Sequence, residues 1–132
     1  MHAEISAAFA DDGRLAKNIA GFKARDAQLQ MAQAVADSIQ DGSALVVEAG
    51  TGTGKTYAYL VPALLAGKKV ILSTGTKNLQ EQLYFRDLPK VLKALALPLQ
   101  TALLKGRANY LCLFRLTQHY QHVPVQDPLL IQ

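Results

Sequence analysis

Cysteine is almost missing from this sequence: a single residue, Cys112, stands among 132. A lone thiol excludes an intramolecular disulfide framework and suits a reducing compartment, so the expected location is the cytoplasm. Long apolar runs are missing too. The longest, Tyr57 to Ala66, is interrupted by Pro62 and is about half of the roughly 20 residues needed to cross a bilayer, which argues against a membrane protein. The opening MHAEISAAFADDGR has no basic start followed by an apolar stretch and a small-residue cleavage site, so no signal peptide is expected. Charge of one sign is in mild excess only. Lys plus Arg number 14 against 10 Asp plus Glu, a net charge of +4, which permits a polyanionic partner without requiring one. What is present is an ordinary globular mixture, 50% apolar and 18% charged, far from the signature of disorder, in a length that suits one domain.

The apolar residues are distributed in alternating strand-like and helix-like pieces. Leu29, Ala32, Val35 or Ala36, and Ile39 share a helical spacing over Asp26 to Gln40, with Asp41 and Gly42 supplying a stop. Ala44 to Glu48 is a β-branched run that leads into a glycine-rich loop and then a helical stretch, Lys55 to Ala66. Lys69 to Ser73 lacks alternation, as a parallel strand covered on both faces would. From Thr76 the chain is helical in character to Pro89, where a break is expected, and helix resumes to about Ala96 before Pro98. Thr101 to Leu104 reads as a third strand and Tyr110 to Tyr120 as a last helix. This order predicts an α/β layer structure around a parallel sheet flanked by helices.

The strongest motif is Ala49-Gly50-Thr51-Gly52-Thr53-Gly54-Lys55-Thr56, a P-loop with Ala49 at the place of the usual first glycine. Each residue type has its own task. Glycines let successive backbone N–H groups turn onto an anion at the positive end of the following helix, Lys55 can reach outer phosphates, and the Thr56 hydroxyl can ligate Mg²⁺. Nucleoside triphosphate binding is the expected chemistry, with Lys55 and Thr56 as catalytic groups. Gly50, Thr51, Gly52, Thr53 and Gly54 form the cradle. Upstream, Gln28 carries an amide that can pair with both the donor and the acceptor on an adenine edge, although a lone glutamine is more often a solvated helix residue. Downstream, Thr74 and Thr76 place hydroxyls at a strand end and a helix start, where backbone phosphates can be held; a plain helix cap is an equal reading.

Four segments, FKARDAQLQM (22–31), VVEAGTGTGKTYAYLVPAL (46–64), STGTKNLQEQL (73–83) and LLKGRANYLC (103–112), resemble superfamily 2 helicases, most closely the DinG/YoaA branch of the XPD-like iron–sulfur DNA helicases. The resemblance covers nearly the whole chain in the family's order. It implies a RecA-like P-loop domain, residues 1–132 being the N-terminal part of motor domain one. It further implies ATP and Mg²⁺ as cofactors, Gln28 with Arg25 at the adenine-reading position, and Thr74, Thr76 and Gln82 in the motif that touches single-stranded DNA. Cys112 becomes the first of four cysteines that ligate a [4Fe–4S] cluster in a longer chain.

The departures matter as much. A cluster needs four thiolates and this chain has one, so no cluster is expected here, and Cys112 by itself reads as an ordinary thiol. His119 and His122 could share a helix face but read as surface residues. Lys105, Arg107, Tyr110 and Arg115 could track phosphates and stack a base, or form a solvated face. No acidic pair of the DEAH kind follows the P-loop. The expected function is therefore the ATP-binding part of an ATP-dependent DNA helicase, acting in repair or replication, with nucleotide bound but not efficiently turned over by this chain alone. A small P-loop kinase and a non-catalytic nucleotide- or DNA-binding fragment are the rivals. Protein partners are not indicated.

Overall fold

The computed structural model describes residues 1–122, and the chain divides into two compact units, one over Met1–Gln100 and another from Thr101 onward. The first unit opens with two helices that the apolar pattern does not announce, α1 (His2–Phe9) and α2 (Arg14–Asn18). Each has one i, i+4 pair of large apolar side chains, Ile5 with Phe9 and Leu15 with the following Ile19, and those four residues are buried. A stripe this short is too brief to register as periodicity, yet it suffices to seat a two-turn helix on a neighbour.

Helix α3 (Asp26–Asp41) has the expected boundaries, and Gly42 ends it in the left-handed region at φ 66°, where glycine carries no Cβ penalty. Its buried face is Gln28, Ala32 and Ala36, with Leu29, Val35 and Ile39 half-buried beside them. The small side chains allow α3 to lie close against α4 (Lys55–Leu65), whose Ala58, Leu60, Val61 and Pro62 are buried. Complete burial of an aliphatic side chain such as Leu60 stabilises by about 1.5–3 kcal/mol. Phe9, Phe22 and Tyr57 join α1 to α4, with ring centroids 6.1 and 6.0 Å apart.

The expected break at Pro89 takes a particular form. Helix α5 (Lys77–Glu81) passes into a π-helical turn, Gln82–Asp87, and then into α6 (Leu88–Leu95). A proline ring collides with the carbonyl four residues back and offers no N–H. Widening the turn to i→i+5 pairing relieves both problems without ending the helix. Val91 and Leu95 of α6 then complete the core with Ile5, Leu15 and Leu60.

The three expected strands are not formed among the described residues. Segments 44–48, 69–73 and 101–104 have no regular secondary structure. A run of four or five apolar residues persists as a strand only when a neighbouring ladder satisfies its backbone groups, and here none does. Exposure nevertheless alternates along the first two. Leu45 and Val47 are 41% exposed around Val46 at 96%, and Val70 and Leu72, at 41% and 36%, flank Ile71 at 91%. Leu45 and Val47 line a cleft of about 360 Å³ with Met31, Val35 and Ile39 of α3 and Tyr59 of α4, so one face of that segment is turned toward the helices. The opposite face is bare.

The unit from Thr101 holds a 3₁₀ turn, Arg107–Asn109, and helix α7 (Leu113–His122), which starts three residues later than the sequence suggests. The Tyr110 hydroxyl accepts from the Lys105 N–H at 2.8 Å, and Asn109 Nδ2 donates to the Gly106 carbonyl at 3.0 Å. No helix among the described residues is long and apolar enough to cross a membrane.

Candidate functional site

The glycine-rich loop enters α4 through Gly54, which stands at φ 82° and ψ 24° as the helix N-cap. Gly52 is also left-handed, at φ 76°. These two positions turn the loop back over the start of α4, where the first N–H groups have no intrahelical partner. The loop's carbonyls are held by four side chains. Lys55 Nζ donates to the Ala49 and Gly50 carbonyls at 2.6 and 2.8 Å. Thr53 Oγ1 donates to Gly50 at 3.0 Å, Arg25 Nη1 to Gly52, and Gln28 Nε2 to Gly54 at 2.9 Å. Tying carbonyls down on one side is what leaves the N–H groups of such a loop for an anion.

Arg25 and Gln28 sit at the N-cap and first turn of α3, so α3 grips the loop from behind. A Cβ on Gly54 would run into the Gln28 amide. Gln28 is 3% exposed, and its Oε1 has no hydrogen-bond partner. The structure therefore brings Arg25, Gln28, Gly50, Gly52, Thr53, Gly54 and Lys55 together. Thr56 follows on α4, half-buried.

Farther along α4, Tyr57 and Tyr59 are raised above the ordinary phenol range. Burial is the main cause for both, and the negative charge of Asp87 adds to it; a Thr56 hydrogen bond to Tyr59 and the Arg86 cation near Tyr57 act in the opposite direction. Both phenols are therefore neutral at physiological pH.

The segment after 69–73 presents Thr74, Thr76 and Gln82. Thr76 Oγ1 accepts from the Leu79 N–H at 3.2 Å, an N-cap for α5, and Thr74 Oγ1 donates to the Thr76 carbonyl at 3.2 Å. Gln82 is exposed and donates to Asp87 Oδ2 at 3.4 Å. Asp87, which the sequence offers no reason to single out, is 6% exposed.

In the other unit Cys112 is exposed, between Leu111 and Leu113, each 70% exposed. His119 is exposed; the side chain of His122 lies outside the described residues. No group of three or more His, Cys, Asp or Glu among the described residues could hold a metal.

The DEAD/DEAH box helicase family profile matches residues 27–128. The chain belongs to that family. It is 68% identical over 110 residues to the ATP-dependent DNA helicase YoaA of Escherichia coli, 83% of this chain and 17% of that one. It is 61% identical over 115 residues to YoaA of Haemophilus influenzae, 87% of this chain and 18% of that one. The ATP-dependent helicase DinG of Mycobacterium tuberculosis is 52% identical over 101 residues, 70% of this chain and 15% of that one. The chain thus spans less than a fifth of the length of these relatives. No solved structure gives a significant match.

Proposed function

We propose that this chain is the nucleotide-binding part of motor domain one of an ATP-dependent DNA helicase working in DNA repair or replication in the cytoplasm. The observation that carries the proposal is the coincidence of the family match with a loop whose left-handed Gly54 delivers Lys55 to the first turn of α4. A RecA-like parallel sheet built on 44–48, 69–73 and 101–104 belongs to the same proposal; the one-sided cover of Leu45 and Val47 supports it.

In this reading the triphosphate lies against the loop N–H groups of Gly50 to Thr56. Lys55 leaves the Ala49 and Gly50 carbonyls for phosphate oxygens, because its ammonium meets a full negative charge there and only a carbonyl dipole in the loop. There Lys55 stabilises transferring phosphoryl charge. Thr56 would hold Mg²⁺ through its hydroxyl, and the ion would supply positive charge against the triphosphate. Gln28 fixes Gly54 through Nε2 in the nucleotide-free chain, and on turning outward it would exchange that contact for adenine, with Oε1 accepting from the exocyclic amine. Arg25 secures the loop at Gly52. Thr74, Thr76 and Gln82 form the single-stranded DNA side.

An iron–sulfur cluster does not fit this chain's own residues. One exposed thiol cannot replace four, so Cys112 has a cluster role only within a longer chain. Family membership leaves the small P-loop kinase without a supporting observation. The non-catalytic reading retains one: no acidic pair of the DEAH kind occurs in residues 57–132.

Calorimetry tests the proposal. Mg·ATP should bind the wild-type chain, and Lys55→Ala should weaken binding at least tenfold, about the 1.4 kcal/mol expected for a lost charge-assisted contact. Equal affinities would show that the loop does not hold the nucleotide. Turnover should not exceed that of Lys55→Ala. A DNA-stimulated ATPase that vanishes in the variant would instead show that the chain completes its own site.

A further inference from the structure

Asp87 is a buried carboxylate that the nucleotide site does not use. It closes the π-helical turn that Gln82 opens, five positions away. In an α-helix, at about 100° per residue, two side chains so spaced would point roughly 140° apart. The wider winding of a π turn, with its i→i+5 pairing, brings them onto one face instead. As a result Gln82 Nε2 reaches Asp87 Oδ2 at 3.4 Å, while Asp87 Oδ1 accepts from Arg86 Nε at 3.0 Å. The burial is unequal: the Asp87 side chain is 8% exposed and that of Arg86 57%. Arg86 donates to the carboxylate through Nε, and a guanidinium has four further N–H donors on its two Nη groups, in a side chain more than half exposed. Lys90, exposed and one helical turn beyond Arg86, adds positive charge to the same surface.

We propose that Gln82 and Arg86 form a phosphodiester-binding pair on single-stranded DNA, set in place by the buried carboxylate of Asp87. The proposal rests on the reading of the segment from Thr74 to Gln82 as the DNA side. It adds Arg86 as a binding residue and Asp87 as a positioning residue. A guanidinium whose rotamer is already fixed loses less entropy on gripping a phosphate than one on a free stem, and it offers two parallel donors. Asp87 itself touches no DNA.

The test is fluorescence anisotropy of labelled oligothymidylate with the 132-residue chain over a range of salt, with Mg·ATP affinity as the control for folding. Gln82→Ala should weaken binding about fivefold, the worth of one hydrogen bond, with little change in salt slope. Arg86→Ala should make the slope of log K against log salt shallower by about 0.7, the release expected for one single-strand phosphate contact. Arg86→Lys should recover the slope but not the full affinity. Asp87→Asn separates positioning from mere proximity. Removing a negative charge near DNA would by itself tighten binding, whereas loss of the anchor weakens it, about fivefold here. Tighter binding by Asp87→Asn, or an unchanged slope in Arg86→Ala, overturns the proposal. If Asp87→Asn loses Mg·ATP binding as well, the exposed Arg86 variants decide alone. If wild type binds DNA but neither Gln82→Ala nor Thr76→Ala weakens it, or if wild type does not bind at all, the DNA reading of the segment fails and this proposal with it.

Discussion

At the scale of single residues, the decisive position is Gly54. It combines a left-handed backbone with contact against the Gln28 amide, so two independent penalties fall on any side chain placed there. Gly50, in the same loop, has neither: its backbone is not left-handed and nothing lies within 4 Å of an added Cβ. Gly54→Ala should therefore destabilise the nucleotide-free chain by about 1–3 kcal/mol, the usual cost of a strained backbone, while Gly50→Ala leaves the melting temperature nearly unchanged. Thermal denaturation followed by circular dichroism checks the contrast. The motif could be read from sequence because its glycines and Lys55 are contiguous. The partnership of Gln28 with Gly54 could not, because it joins residues 26 positions apart and depends on how α3 and α4 pack. The position was legible as a candidate for adenine; its grip on the loop needed the fold.

At the scale of elements, helices with long apolar stripes were legible and short ones were not. The boundaries of α3 and α4 follow from periodicity and stop signals, and Ala66 caps α4 where the sequence ends it. Helices α1 and α2 depend on one apolar pair each and owe their stability to the core they help build. Helix α6 shows a different compromise. It ends on Ala96, a non-glycine residue in the left-handed region at φ 54°, whose N–H donates to the Leu92 and Lys93 carbonyls. The cap satisfies the helix end at a steric cost that a Cβ imposes. Ala96 is exposed, so glycine there forfeits no packing. Ala96→Gly should raise stability by about 1 kcal/mol, measured as a higher urea midpoint with an unchanged slope.

At the scale of the whole chain, the helices of the first unit bury their apolar faces against one another, and the segments expected as strands do not. Run 44–48 was conspicuous in sequence as a β-branched piece ahead of the glycine-rich loop, and 69–73 because it lacks polar alternation. That property signals cover on two faces, and the described residues supply cover on one face of 44–48 at most. Val46 and Ile71 are consequently almost as exposed as in an open chain. Exposed apolar residues of this kind promote self-association. The 132-residue chain should sediment with a concentration-dependent coefficient, and a Val46→Lys, Ile71→Lys double variant should remove that dependence while retaining Mg·ATP affinity. The π-helical turn bears on chain length as well. It is the way a helix holds one inserted residue without losing either flank, since Leu83 in its first turn and Leu88 just after it are both buried although five positions apart. A relative with one residue fewer between these leucines would restore the ordinary i, i+4 step, with both ends of the helix facing as before. A gap aligned to this turn would therefore record a change of backbone winding, not the loss of an element.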